Sequence, residues 1–177
     1  MEEFSLRIAH TDELKKLVAI DNEASELYVK AGLKLEFERD HPFVVAERLR
    51  WTSAIEQGLA FVSVNCQDTP IGFATLGLVD GDPYLDQIAV LPSCMGRGVG
   101  TSLLNHAISW SSGRPLWLTT YSHLLWNRPY YERHGFVTIK DRECGQELCA
   151  VLKEQRLALP DPDQRIAMVR RSASTCT

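Results

Sequence analysis

Leu91-Pro-Ser-Cys-Met-Gly-Arg-Gly-Val-Gly-Thr101 is the stretch on which the fold turns. An extended run, Pro83-Tyr-Leu-Asp-Gln-Ile-Ala-Val90, leads into it. A helical pattern leaves it, with Gly100, Leu103, Leu104, Ala107 and Ile108 on one face at i, i+3, i+4, i+7 and i+8. Between strand and helix, Gly96, Gly98 and Gly100 stand at every second position, with Arg97 among them. Glycines here let the chain turn tightly and let a ligand lie on bare backbone. The unpaired N–H groups of the first helical turn, backed by the macrodipole, suit a phosphate. A purely structural turn reads the same way, so the loop alone leaves both meanings open.

Working outward, Phe4 to Ala9 alternates as a first strand, and Thr11 is expected to cap a helix carrying Leu14, Leu17 and Val18. Residues 31–42 show no period and read as a loop. Phe43 to Gln57 reads as a second helix with Val44, Val45, Leu49 and Ile55 inward. Strands follow at Leu59 to Asn65 and Ile71 to Val79, and Asp80-Gly81-Asp82 supplies a hairpin turn. Beyond the glycine loop and its helix, Pro115 to Tyr121 is a buried strand. Asn127 is expected to cap a short helix that stops at Gly135. Phe136 to Lys140 is a strand, Glu143 to Leu157 a helix with Leu148 and Leu152 inward, and Arg165 to Arg170 a closing strand. Three strands in succession followed by alternation imply an α/β fold with a mixed sheet and helices on both faces. Residues 1–170 are expected to form one domain, with 171–177 as a frayed tail.

The 177 residues are 45% hydrophobic and 24% charged, which suits one domain with a full core. A net charge of −4 lacks the basic footprint of a nucleic-acid binder. No apolar run reaches the length of a membrane span, and the opening Met-Glu-Glu-Phe is acidic where a signal peptide is basic, so the expected location is cytoplasmic. The five cysteines are scattered without a CxxC pair, so free thiols and no metal are expected.

The spacing Gly96-x-Gly98-x-Gly100 is not the dinucleotide fingerprint, and no Gly-Lys-Ser/Thr follows as in a Walker loop. Joined to Asn127-Arg-Pro-Tyr-Tyr131-Glu-Arg-His-Gly135-Phe136, however, the sequence resembles the GNAT superfamily of acyl-CoA-dependent N-acyltransferases. Met95-Gly-Arg-Gly98-Val-Gly100 matches the family motif Q/R-x-x-G-x-G/A, except that Met95 stands at the position usually held by Gln or Arg. The second stretch matches Asn-x-x-x-Tyr-x-x-x-Gly-Phe. The resemblance implies a mixed, mostly antiparallel sheet of about seven strands, splayed between the fourth and fifth, with helices on both faces.

The activity it implies is N-acetyl transfer from acetyl-CoA, the cosubstrate, directly to a primary amine. By resemblance, Met95, Gly96, Arg97, Gly98, Val99, Gly100 and Thr101 hold the pyrophosphate, mainly through backbone amides. Ile88, Ala89 and Val90 hold the pantetheine arm and point an N–H at the thioester oxygen, and Asn127 makes a further CoA contact. Tyr131 becomes the acid for the departing thiolate, since a phenol near pKa 10 and a thiol near 8.5 are close enough for proton transfer. Packing of its ring is the competing reading. Asp86 is the candidate base, although a carboxyl near 3.9 needs burial or a relay to deprotonate an alkylamine.

His123 and His134 stay outside this core site, and Cys94 is incidental. Trp117, Tyr121 and Trp126 are as well suited to the core as to an acceptor pocket. The acceptor is left as a small-molecule or peptide amine, with no nucleic acid or membrane partner. Family members are often dimers, which leaves a homodimer open. Two alternatives remain: another short acyl-CoA as donor, or an acyl-CoA-binding sensor without turnover.

Overall fold

The computed structural model describes residues 4–35 and 37–172. The elements, in chain order, are β1 (Ser5–Ile8), α1 (Leu14–Lys30), α2 (Pro42–Glu56), β2 (Ala60–Val64), β3 (Pro70–Val79), β4 (Asp82–Val90), α3 (Val99–Trp110), β5 (Leu116–Tyr121), α4 (Arg128–Glu132), β6 (Val137–Ile139), α5 (Gln146–Ala158) and β7 (Arg165–Arg170). The strands form one seven-stranded sheet in the order β1-β2-β3-β4-β5-β7-β6. It is mostly antiparallel; β4 and β5 run parallel and pair at Tyr84 and Trp117. The mixed α/β architecture is the one expected.

The chain falls into two compact units. One holds residues up to 77 together with 86–107; the other holds 78–85 and residues from 108 onward. In the first unit, α1 contributes Leu17, Ile20 and Ala24 and α2 contributes Trp51, Ala54 and Ile55 to a core with Val62 and Phe73. The Trp51 and Phe73 rings meet edge-on at 5.2 Å. In α2 the inward face differs from the expected one: Val45 and Leu49 are 42% and 65% exposed, whereas Trp51 is 1% exposed. A helix buries the stripe that removes most apolar area from water, and the indole outweighs two aliphatic side chains.

The start of α1 also differs. Its N-cap is Glu13, not Thr11. Glu13 is 1% exposed, and its two carboxylate oxygens accept from Arg7 Nη1 and Nη2, both at 2.9 Å. It also accepts the His10 backbone N–H at 2.9 Å. Arg7 reaches on from there to Asp68 at 2.8 Å. This buried, fully satisfied carboxylate fixes the helix entry, and Thr11 stays in an exposed turn.

In the second unit, Val79, Tyr84, Leu148, Leu152 and Ala167 pack together. Asp80 and Gly81 make the expected hairpin turn, both with positive φ, 51° and 81°. That turn also sets where α5 begins. Asp80 Oδ1 and Oδ2 accept the N–H groups of Glu147 and Leu148 at 2.9 and 3.1 Å. Glu147 Oε2 in return accepts the Asp80 N–H at 2.5 Å. The helix therefore starts at Gln146 instead of Glu143, and Asp141–Glu143 forms a 3-10 turn. Gly145 is required here, since a Cβ would lie 2.1 Å from the Asp80 carboxyl carbon.

Arg171 and Ser172 follow β7 without regular structure; residues 173–177 of the expected tail, with Cys176, lie outside the described residues. Cys66, Cys94, Cys144 and Cys149 are free thiols. Among the described residues no helix is long and apolar enough to cross a membrane.

Candidate active site

Val90 ends β4, and Pro92–Cys94 makes a short 3-10 turn. Gly96 and Gly98 then take left-handed φ values of 74° and 86°, a conformation that costs an L side chain about 1–2 kcal/mol. No neighbour lies within 4 Å of where their Cβ atoms would be, so the glycines serve the turn itself and leave open space over the backbone. The helix closes its first hydrogen bond from the Ser102 N–H to the Gly98 carbonyl at 2.9 Å. The amides of Val99, Gly100 and Thr101 thus belong to the end of α3 that has no acceptors of its own. Gly96, Arg97 and Gly98 are exposed, as is Met95 at 38%. Loop, open backbone and helix N-terminus together form an anion cradle.

Upstream on the same unit, Asp86 receives Arg50 Nε at 3.1 and 3.3 Å. Its side chain is 13% exposed. Burial raises its carboxyl above the ordinary range, with Arg50 pulling the other way. Two more carboxyls share this interior. Burial pushes Asp21 of α1 up to about 7, against the hydrogen bond from Gln87. Burial, then repulsion from Asp21, pushes Glu47 of α2 up to about 8. Gln87 donates from Nε2 to Asp21 Oδ1 at 2.7 Å, and its Oε1 accepts the Ile88 N–H at 3.1 Å. Asp86 thus reaches α2 and Gln87 reaches α1, two helices packed on each other.

The second unit carries Tyr131 and Asn127. Tyr131 lies in α4, a helix of five residues. It is 8% exposed, with its ring 5.7 Å from Phe136 and 5.3 Å from Tyr130. Of the two adjacent tyrosines it is the more buried. Asn127 is the N-cap by position, but its side chain makes no capping hydrogen bond, and its φ of −106° and ψ of −99° are not those of a capping residue. The backbone carbonyl of Asn127 instead accepts the Tyr131 N–H at 3.1 Å. The Asn127 side chain is 6% exposed, so burial, not capping, describes its setting.

Gly135 ends the helix as expected, at φ 84°. His134 Nδ1 lies 2.9 Å from the Tyr130 carbonyl and closes the helix end. His123 pairs with Asp161 at 3.3 Å. Tyr121 donates to the Pro160 carbonyl at 2.8 Å under the Arg165 guanidinium, a structural role. Trp117 lies 3.5 Å from Asp82, and Trp126 is 40% exposed.

One unit therefore brings together Asp86, Ile88–Val90 and Met95–Thr101; the other holds Asn127 and Tyr131. Asp21, Glu47 and Arg50 escape a motif reading, yet a signal was present. Asp21 falls in the stripe of Leu17, Ile20 and Ala24, and Glu47 four residues before Trp51. A carboxylate on an otherwise apolar helical stripe is a buried charge, and buried charges have a reason to be there.

A family model described as Acetyltransferase (GNAT) family matches residues 17–136. The solved structures agree in fold. The Neisseria gonorrhoeae N-acetylglutamate synthase, complexed with coenzyme A and N-acetyl-glutamate, matches with a TM-score of 0.70 and 17% identity over 98% of this chain. The chain spans only 36% of that protein's length. The Thermoplasma acidophilum PaiA N-acetyltransferase, in complex with coenzyme A, matches with a TM-score of 0.65 and 14% identity over 96% of this chain and 99% of its own. A Staphylococcus aureus acetyltransferase of the GNAT family gives 0.71 and 14%, covering 97% of this chain and all of the other. The sheet order and the family match place the fold in the GNAT class. The chain belongs to the GNAT acetyltransferase family.

Proposed function

We propose that this protein transfers an acetyl group from acetyl-CoA directly to a primary amine in the cytoplasm. The observation that carries the reading is Asp86, a carboxyl held above its ordinary range on the strand that feeds the glycine cradle. A raised carboxyl lies nearer the pKa of an alkylammonium and accepts its proton more readily. Asp21 and Glu47 share its surroundings, and their raised values, about 7 and about 8, keep protons on them near neutral pH. Two of the similar structures described above are complexes with coenzyme A, which supports the cofactor.

In this reading the amides of Met95 to Thr101 hold the pyrophosphate, Ile88 to Val90 hold the pantetheine, and Asn127 makes a further contact. Asp86 takes the proton from the ammonium. The amine nitrogen then attacks the thioester carbonyl, whose oxyanion a backbone N–H of β4 stabilises. As the tetrahedral intermediate collapses, the C–S bond breaks, Tyr131 protonates the departing thiolate, and the second proton lost by the nitrogen passes through water to restore the phenol, while Asp86 returns its own proton to solvent.

Thermal shift with acetyl-CoA, ATP and NAD tests the cofactor, because a ligand of the native state raises the melting temperature. No response to acetyl-CoA sinks the reading. Thiol release over a panel of primary amines then identifies the acceptor and separates an enzyme from a sensor. On an active acceptor, Tyr131→Phe is expected to lower kcat about a hundredfold with acetyl-CoA affinity retained. An unchanged kcat removes Tyr131 from the acid role.

A further inference from the structure

The side-chain amide of Gln87 is held at both ends. Its Nε2 donates to Asp21 at 2.7 Å. Its Oε1 accepts the backbone N–H of the next residue, Ile88, at 3.1 Å. Ile88 lies in the stretch of β4 whose backbone, in the reading above, meets the pantetheine and the thioester. One N–H makes one good hydrogen bond. A carbonyl arriving on acyl-CoA and the Oε1 of Gln87 therefore compete for the same donor.

We propose that Gln87 is a positioning residue that occupies the Ile88 N–H in the free protein and yields it to the thioester carbonyl of bound acyl-CoA. Asp21 retains the Nε2 end and swings the amide aside without letting it go. The inference rests on the acetyl-CoA reading of the site. It makes the protein discriminate less between acetyl-CoA and CoA than its backbone allows. Acetyl-CoA must break the Gln87–Ile88 bond to make its own, whereas CoA has no thioester carbonyl to offer. After acyl transfer, the amide closes again on Ile88 as the thiol product leaves.

The test needs no knowledge of the acceptor. Calorimetric titration of acetyl-CoA and of CoA is carried out on the wild type and on Gln87→Met, which keeps the length of the side chain and removes the amide. The expected result is that acetyl-CoA binds about two- to tenfold more tightly relative to CoA in the variant, the value of one neutral hydrogen bond. A gain of affinity confined to the acylated ligand is not a consequence of damage to the fold. The Ile88 amide resonance supplies a spectroscopic signature: in the free protein it moves on substitution, and in wild type acetyl-CoA shifts it more than CoA does.

If Gln87→Met is poorly folded, Gln87→Asn gives the same readout, since its amide is one methylene too short to span Asp21 and the Ile88 N–H. A ratio of affinities that stays the same or falls, or an equal gain for both ligands, overturns the proposal while leaving the acetyl-CoA reading intact. A wild type that binds neither ligand overturns both.

Discussion

Glu13 and Asp21 are two carboxyls of one helical region pushed in opposite directions, and the partner decides the direction. Hydrogen bonds from Arg7 pull Glu13 down to about 2 despite its burial. Asp21 has only the Gln87 amide against burial, and rises to about 7. Glu13→Gln is therefore expected to lower stability by about 1–3 kcal/mol at neutral pH, since it removes the buried charge with which the half-buried Arg7 fork pairs. Because the folded value lies below the unfolded one, that stability is fully present above the ordinary glutamate value of 4.5 and is lost as pH falls toward 2. Denaturant melts of wild type and variant should thus differ at pH 7 and converge as pH approaches 2. A gap that persists there shows that Glu13 acts by packing alone. The state of Glu13 is not visible in the sequence, where Arg7, Glu13 and Asp68 are separate surface-type residues until the fold brings them together.

Among the elements, those defined by local chemistry were legible. The run into Val90, the glycine turn and the apolar face of α3 follow from residues adjacent in sequence, and so does the hairpin at Asp80-Gly81. Elements whose boundaries depend on distant partners were not. α1 starts where the Arg7 pair lets it, and α2 turns on the choice between an indole and two aliphatic side chains. The site divides in the same way. The glycine turn of Met95 to Thr101 could be placed from spacing, and Asp86 on the strand that enters it. The surroundings of Asp86 could not, because Asp21 and Glu47 read as solvated helix charges unless their stripes are already known to face inward. The glycine loop also carries a direct expectation. Gly98→Ala places a side chain at φ 86° in open space, so its cost is conformational, about 1–2 kcal/mol. Calorimetry should show acetyl-CoA and CoA weakened alike, about tenfold, because the cradle serves what both ligands share. Unchanged binding of both would place the pyrophosphate elsewhere.

At the scale of the whole molecule, the same carboxyls set how stability varies with pH. Glu13 makes the protein more stable as pH rises from about 2 to 4.5. Asp21 and Glu47 work the other way. Their folded values, about 7 and about 8, lie above the unfolded ones, so the folded chain keeps protons that the unfolded chain has released. Stability then falls as pH rises through that window. Around them, Asp86 adds to this repulsion at Glu47, while Arg50 and Arg48 relieve part of it. The melting temperature is expected to peak on the acid side of neutrality. Asp21→Asn should flatten the decline and be the more stable protein above pH 7, by an amount on the order of a few kcal/mol. A wild-type profile that rises from pH 5 to pH 8 contradicts this assignment. An interior that gives up stability at the pH where its carboxyls become bases is consistent with a region kept for chemistry.

The grip of Asp80 on α5 joins residues 67 apart, and it runs in the direction of synthesis. The turn that supplies the carboxylate leaves the ribosome before the helix it will cap. When Gln146 to Ala158 emerges, the acceptors for its first amides are already in place. A circular permutant that began at α5 would reverse that order, and the helix would have to wait, with its leading amides on water, for a turn not yet made.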